Sequence, residues 1–151
     1  MTNPAPEEVK LLTFHLGKES FCLDVMTVRE LRTWSAPTPV PHAPSYLSGV
    51  INLRGTILPV VDLAARLGLP AMAIDERHVI IVVDSAGQSA GLIVEAVNTI
   101  RPVSRDLLEA LPPVARGKGE DCLAALALVG DQMVRVIDLS AILANRRVDL
   151  A

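Results

Sequence analysis

The chain is 151 residues long, enough for one domain or for two small subdomains around a shared core. Apolar residues make up 50% of it but aromatic ones only 3%, so Val, Ile, Leu and Ala must build the interior, which favours β-structure. A formal charge of −3, with no dense lysine and arginine block beyond the local pair Arg146-Arg147, excludes the concentrated cationic face by which proteins hold nucleic acid.

The start, "MTNPAPEEVK", is rich in proline and glutamate and lacks the basic-then-apolar pattern of a secretory signal, so residues 1–8 read as a disordered tail. Residues 9–31, "VKLLTFHLGKESFCLDVMTVREL", read as an apolar strand, a polar turn containing Gly17 and a second strand with alternating apolar positions, the pattern of a β-hairpin. Within it Val25, Val28 and Leu31 recur at every third position, either as a continuation of the core or as an exposed apolar patch for a partner. The segment "TWSAPTPVPHAP" holds prolines 37, 39, 41 and 44 and reads as an extended connector that cannot donate along a sheet ladder. In "LRGTILPVVDLAARL", residues 53–67, a turn at Gly55 feeds a strand that ends at Asp62. A short apolar-periodic helix follows, with Asp62 as its N-cap and Gly68 closing it.

Both patterns recur. A shift of 69 lays residues 9–31 on 78–100, so that Ser20, Leu23, Val25 and Val28 meet Ser89, Leu92, Val94 and Val97. A shift of 76 lays residues 53–67 on 129–143, where Val60, Asp62, Leu63, Ala65 and Leu67 meet Val136, Asp138, Leu139, Ala141 and Leu143. Asp138 is thereby a second helix cap. Between the second hairpin and the last strands, "RPVSRDLLEALPPVARGKGED" reads as one short helix capped by Ser104 and then a mobile Pro/Gly-rich loop. "CLAALALVG" is among the longest apolar runs and falls well short of the roughly 18 residues of a membrane-spanning helix, so a soluble protein with no direct membrane insertion is expected. The reading is mainly β: one domain over 9–147 made of two duplicated barrel subdomains, approximately 9–70 and 78–147, able to exchange strands. Closure into barrels would remove the edges that such apolar hairpins otherwise expose.

No seat for catalysis emerges. Asp62 and Asp138 hold equivalent positions, as do the two carboxylates of aspartic proteases, and an aspartate-dependent hydrolase is the rival reading from another class. Their contexts, Asp62-Leu63-Ala64 and Asp138-Leu139-Ser140, lack the small hydroxyl residue and glycine that follow such an aspartate, and capping accounts for both. His15, His42 and His78 share no ligand spacing, so no metal site and no cofactor are expected. Ser45, Ser48 and Ser140 have no histidine or acid in a nucleophile pattern, and no phosphate-binding glycine loop occurs. Cys22 and Cys122 read as small buried thiols in a reducing compartment. A barrel holding a small ligand would need a wide cavity, and the many branched aliphatics point to a filled one. What remains is a protein that works through its surfaces.

The stretch "GVINLRGTILPVVDL" closely resembles the signature of the CheW family of chemotaxis adaptors and of the regulatory domain of the CheA histidine kinase. The likeness runs from about Leu11 to Leu143 and includes "TFHLG", "FCLDVMTVREL", "YLSGVINLRG" and "GLIVEAV". It implies two five-stranded SH3-like barrels packed around a shared apolar core, no catalysis, and a cytoplasmic adaptor recruited to membrane-associated receptor arrays. There it would couple chemoreceptors to the kinase. By the same resemblance the kinase regulatory domain meets Leu12, Val25, Val28 and Leu31. The receptor's apolar cytoplasmic tip enters a groove between the barrels at Gly49, Val79, Gly91 and Ile100. Arg54 matches the family's motif arginine and Glu30 the acid of its "V-x-E" stretch, and the two are expected to form an ion pair. The proline-rich connector, Trp34 and the alanine-rich "CLAALALVG" depart from familiar adaptors, and similar proteins serve pilus motility and other chemosensory pathways.

Overall fold

The apolar runs become strands because most of them are buried on both faces, a pattern that only a sheet covered on each side can satisfy. The computed structural model describes residues 8–71, 73–110 and 122–143; residues 1–7 of the expected tail, the loop at 111–121 and Arg146-Arg147 lie outside them. In chain order the elements are β1 (Glu8–Leu16), β2 (Glu19–Asp24), β3 (Val28–Thr33), β4 (Leu47–Leu53), β5 (Thr56–Asp62) and helix α1 (Leu63–Arg66). The second half contributes β6 (Val79–Ser85), β7 (Gln88–Val94), β8 (Ala96–Ser104), β9 (Leu108–Ala110), β10 (Leu123–Val129), β11 (Gln132–Ile137) and helix α2 (Leu139–Leu143).

One sheet has the order β3-β6-β7-β5-β4 and the other β8-β1-β2-β11-β10-β9. Each therefore joins a hairpin from one sequence copy to the later strands of the other copy. The exchange is symmetric to the residue: β5 lies parallel to β7 with Val60 opposite Gly91, and β11 lies parallel to β2 with Val136 opposite Cys22. Both sheets close. Past β3 the chain returns to β4 at Thr38, whose N–H and C=O bond to Val50 at 2.8 and 2.9 Å. In the other sheet β8 runs through a 3-10 turn, Arg105–Leu107, into β9, which pairs with β10. That bent strand serves twice, so the six-stranded sheet is a five-stranded barrel, and the expected pair of SH3-like barrels is present.

Strand alternation sorts the interior into three layers. Ile80, Val82, Ile93, Val60 and Leu58 fill the barrel that contains β6, and Leu11, Cys22, Val103, Ala127 and Val134 fill its partner. Between the barrels lies the shared core of Leu12, Phe14, Phe21, Leu23, Ile81, Val83, Leu92 and Val94, completed by Leu63 and Ile142 of the helices. Burial pushes the Cys22 thiol up to about 12, so it stays protonated and inert at neutral pH.

Three local expectations differ from the structure. The second strand stops at Asp24, which caps a 3-10 turn over Val25–Thr27 by accepting the Met26 N–H at 2.9 Å. The helix expected after Ser104 is a single 3-10 turn. Its cap is as expected, Ser104 accepting from Asp106 N–H at 3.3 Å, but Leu108–Ala110 is claimed by the ladder with β10. In the proline connector Thr38, with its own N–H free between two prolines, does enter a ladder. Helix α1 follows its signals: Asp62 accepts from Ala65 N–H, and Gly68, at φ 77°, lets Gly68 and Leu69 N–H return to Ala65 and Ala64 C=O.

Candidate docking interface

A strand places residues two apart on one face, so apolar positions three apart call for an extra residue. β3 supplies it: the register passes from Val28 opposite Val83 to Glu30 opposite Val82, which leaves Arg29 as a β-bulge. Val28 and Leu31, opposite Val83 and Ile81, thereby share the face turned toward the inter-barrel core. Val25 and Val28 pack on that core, Leu12 is one of its buried members, and Leu31 is 48% exposed. Met26, in the 3-10 turn beside them, is 86% exposed. Leu12 thus belongs to the buried core and not to the surface, and Met26 is a surface member that no periodicity in the sequence marks. β8 repeats the device, with Asn98 bulged between Val97 and Thr99, so that Ile100, 51% exposed, stands where Leu31 stands on β3.

Arg54 and Glu30 meet at a seam. Arg54 sits in the tight turn between β4 and β5, and its guanidinium donates to the Glu30 carboxylate on β3; Arg32 stands 3.8 Å from the other oxygen. β3 and β4 are the end strands of their sheet, so the pair and the Thr38–Val50 bonds tie its two ends together. The Arg54 hydrogen bond holds the Glu30 carboxyl below the usual carboxylate range, and the nearby arginine charges add to this against a smaller desolvation penalty.

A cavity of about 510 Å³ opens between the β5–β7 barrel and α2. Pro44, Tyr46, Leu47, Pro59 and Val61 form one side, with Gln88, Ser89 and Ala90 beyond, and Ile142 and Leu143 of α2 form the other. Since Val61, Ala90 and Ile142 belong to the shared core, this groove is where the inter-barrel packing reaches the surface. Arg66 fixes its far wall, donating to the Ala141 and Ile142 carbonyls at 2.9 and 3.4 Å while lying 4.8 Å over the Tyr46 ring. Residues 66 and 142 are equivalent under the repeat, so their contact marks the pseudo-two-fold axis between the halves.

The four residues assigned to a receptor groove from sequence do not line this cavity. Gly49 and Gly91 are buried with Val60 between them across the sheet. A Cβ on Gly49 would stand 2.2 Å from Thr38 O, and one on Gly91 would stand 2.7 Å from Ile80 Cγ2, so both glycines permit close approach inside the barrel. Val79 packs on the shared core and Ile100 is exposed on β8.

The polar candidates are occupied locally. Asp62 accepts from Ala65 N–H at 3.3 Å and Asp138 from Ala141 N–H at 3.2 Å and Ser140 Oγ at 3.1 Å, each at the start of its helix. His78 is buried and its Nδ1 accepts from Asp75 N–H at 3.2 Å; the Asp75 carboxyl is held down at about 2, chiefly by hydrogen bonds from Arg77. Among the described residues no three His, Cys, Asp or Glu gather where they could hold a metal ion. No helix among them is long and apolar enough to cross a membrane.

An apolar face, an apolar groove and carboxylates committed to capping define a double-barrel docking module. The chain belongs to the CheW-like domain family, whose model matches residues 10–147. It is 36% identical over 142 residues to a probable chemotaxis protein CheW of Rhizobium etli, covering 94% of this chain and 92% of that one. Chemotaxis protein CheW of Rhizobium meliloti is 39% identical over 133 residues, 88% and 86% of the two chains. The crystal structure of the scaffolding protein TtCheW from Thermoanaerobacter tengcongensis superposes with a TM-score of 0.81 at 34% identity, over 89% of this chain and 90% of that one.

Proposed function

We propose that this chain is a non-enzymatic, cytoplasmic CheW-type adaptor that couples chemoreceptors to a CheA-type histidine kinase within membrane-associated receptor arrays. The observation that carries the reading is the presence of two apolar surfaces built from different residues on one double barrel. The face of Val25, Val28 and Leu31, widened by Met26 and backed by Leu12, takes the kinase regulatory domain. The groove of Tyr46, Leu47, Pro59 and α2 takes the apolar cytoplasmic tip of the receptor. Gly49 and Gly91 keep the barrel wall behind the groove closely packed, while Val79 and Ile100 lie outside it and would meet the receptor at a separate contact. Holding both partners at once makes the second binding step effectively intramolecular, so modest individual affinities suffice.

A pull-down with the two partners separately tests the division. Val28→Asp and the exposed-site variant Leu31→Asp should each weaken binding of the kinase regulatory domain at least roughly tenfold, about 1.4 kcal/mol, and leave receptor binding intact. Undiminished kinase binding by both variants would remove the assignment of that face.

A further inference from the structure

The duplication predicts a counterpart to the open groove on the other side of the pseudo-two-fold axis, and the residues at the equivalent positions differ. Positions 59 and 88–90, which border the open groove as Pro59, Gln88, Ser89 and Ala90, correspond to Arg135, Glu19, Ser20 and Phe21 in the other barrel. The strand registers show the same correspondence independently of the sequence match. Arg135 lies opposite Phe21 one residue before Val136 meets Cys22, and Pro59 precedes Val60 opposite Gly91 in the same frame.

In the β11–β2 barrel these positions carry a connected plug. The Arg135 guanidinium lies 5.2 Å over the Phe21 ring, stands 3.2 Å from the Glu19 carboxylate, and reaches the Ser20 carbonyl at 3.5 Å. The ring is buried and stacks on Phe14 at 6.1 Å. Where the β5–β7 barrel has a proline and an alanine beside open space, the β11–β2 barrel has a cation and an aromatic ring satisfying one another.

We propose that Arg135, Phe21 and Glu19 close a second docking groove, so that each chain accepts one apolar receptor tip and not two. This rests on the reading that the open groove takes that tip. A hydrophobic hairpin tip offers no group to replace the Arg135 contacts, so inserting it there would strand a charge against an apolar surface. A single open groove gives the adaptor a polarity: it presents one receptor-facing side, as a connector between unlike partners must.

Titration calorimetry with a soluble receptor hairpin fragment tests this. Wild-type protein should bind one fragment per chain. Phe21→Ala with Arg135→Ala should raise the stoichiometry to two, with binding of the kinase regulatory domain reporting that the variant is folded. If the double variant does not fold, Phe21→Leu with Arg135→Ala, which shortens the ring while keeping an apolar side chain in the core, carries the same readout. Moving the plug into the open groove with Pro59→Arg and Ala90→Phe should weaken fragment binding at least tenfold while kinase binding persists. A transplanted plug that leaves fragment binding unchanged overturns the groove reading itself. Loss of binding there, with a stoichiometry of one in the folded opened variant, overturns only the plug. Two fragments bound by the wild type also overturns it.

Discussion

Arg54 occupies a backbone conformation that few residues with side chains adopt. At φ 51°, followed by Gly55 at φ 86°, it makes the two-residue turn whose twist matches the flanking strands, a position for which Asn or Gly is the usual choice. The arginine at this turn tip reaches Glu30 across the barrel seam. Because the folded-state Glu30 carboxyl lies below its ordinary value of 4.5, the pair stabilises the fold above that value, and its contribution disappears as pH falls through the depressed one. Melting profiles should therefore show an acid-side decline in wild type that is shallower in Glu30→Gln. Arg54→Glu combined with Glu30→Arg should bind the kinase regulatory domain better than either single change; failure to do so would remove the pairing as the reason for both residues. This partnership was legible in the sequence only through the family motif, since 24 residues separate the two and nothing in composition links them. Leu12 was less legible, because strand alternation tells which face a side chain occupies but not whether another barrel covers that face.

At the scale of single elements, the bulges at Arg29 and Asn98 convert a spacing of three into a shared face, and the sequence shows the spacing but not its cause. Two glycines on the β4–β5 hairpin separate steric need from conformational need. Gly49, at φ 147°, has Thr38 O at 2.2 Å from where a Cβ would sit, whereas Gly55 has nothing within 4 Å. Gly49→Ala should cost more than about 2 kcal/mol in urea unfolding, since strand backbone would have to move. Gly55→Ala should cost about 1 kcal/mol, for the left-handed conformation alone. Equal losses would mean that the connector at Thr38 yields freely and does not close the barrel. The helix caps were fully legible, because the capping aspartate, the short apolar period and the terminal glycine are all local signals. The 3-10 turns were not, because three residues leave no period to detect.

Across the whole molecule, duplication was visible in the sequence but the partition of strands between sheets was not. A hairpin with both faces apolar satisfies its burial pattern equally well beside either copy's later strands, and the pairings that decide it lie far apart in the chain. We expect residues 9–147 to unfold as one cooperative unit, because neither copy completes a barrel alone. Trp34, the single tryptophan, packs over the interior of one barrel, and Cys22 is buried inside the other. Fluorescence and thiol accessibility should give coincident urea midpoints, and separated midpoints would show two independent units.

The symmetric exchange of hairpins also has an ancestral meaning. Two identical half-length chains, swapping their first hairpins, would build the same pair of barrels as a homodimer, with two identical grooves and no distinction between its sides. Joining the halves in one polypeptide frees each position to mutate without its mate. Arg135 at the position equivalent to Pro59, and Ile142 at the position equivalent to Arg66, are divergences of that kind. Gene fusion, on this view, turned a symmetric clasp into a directional joint.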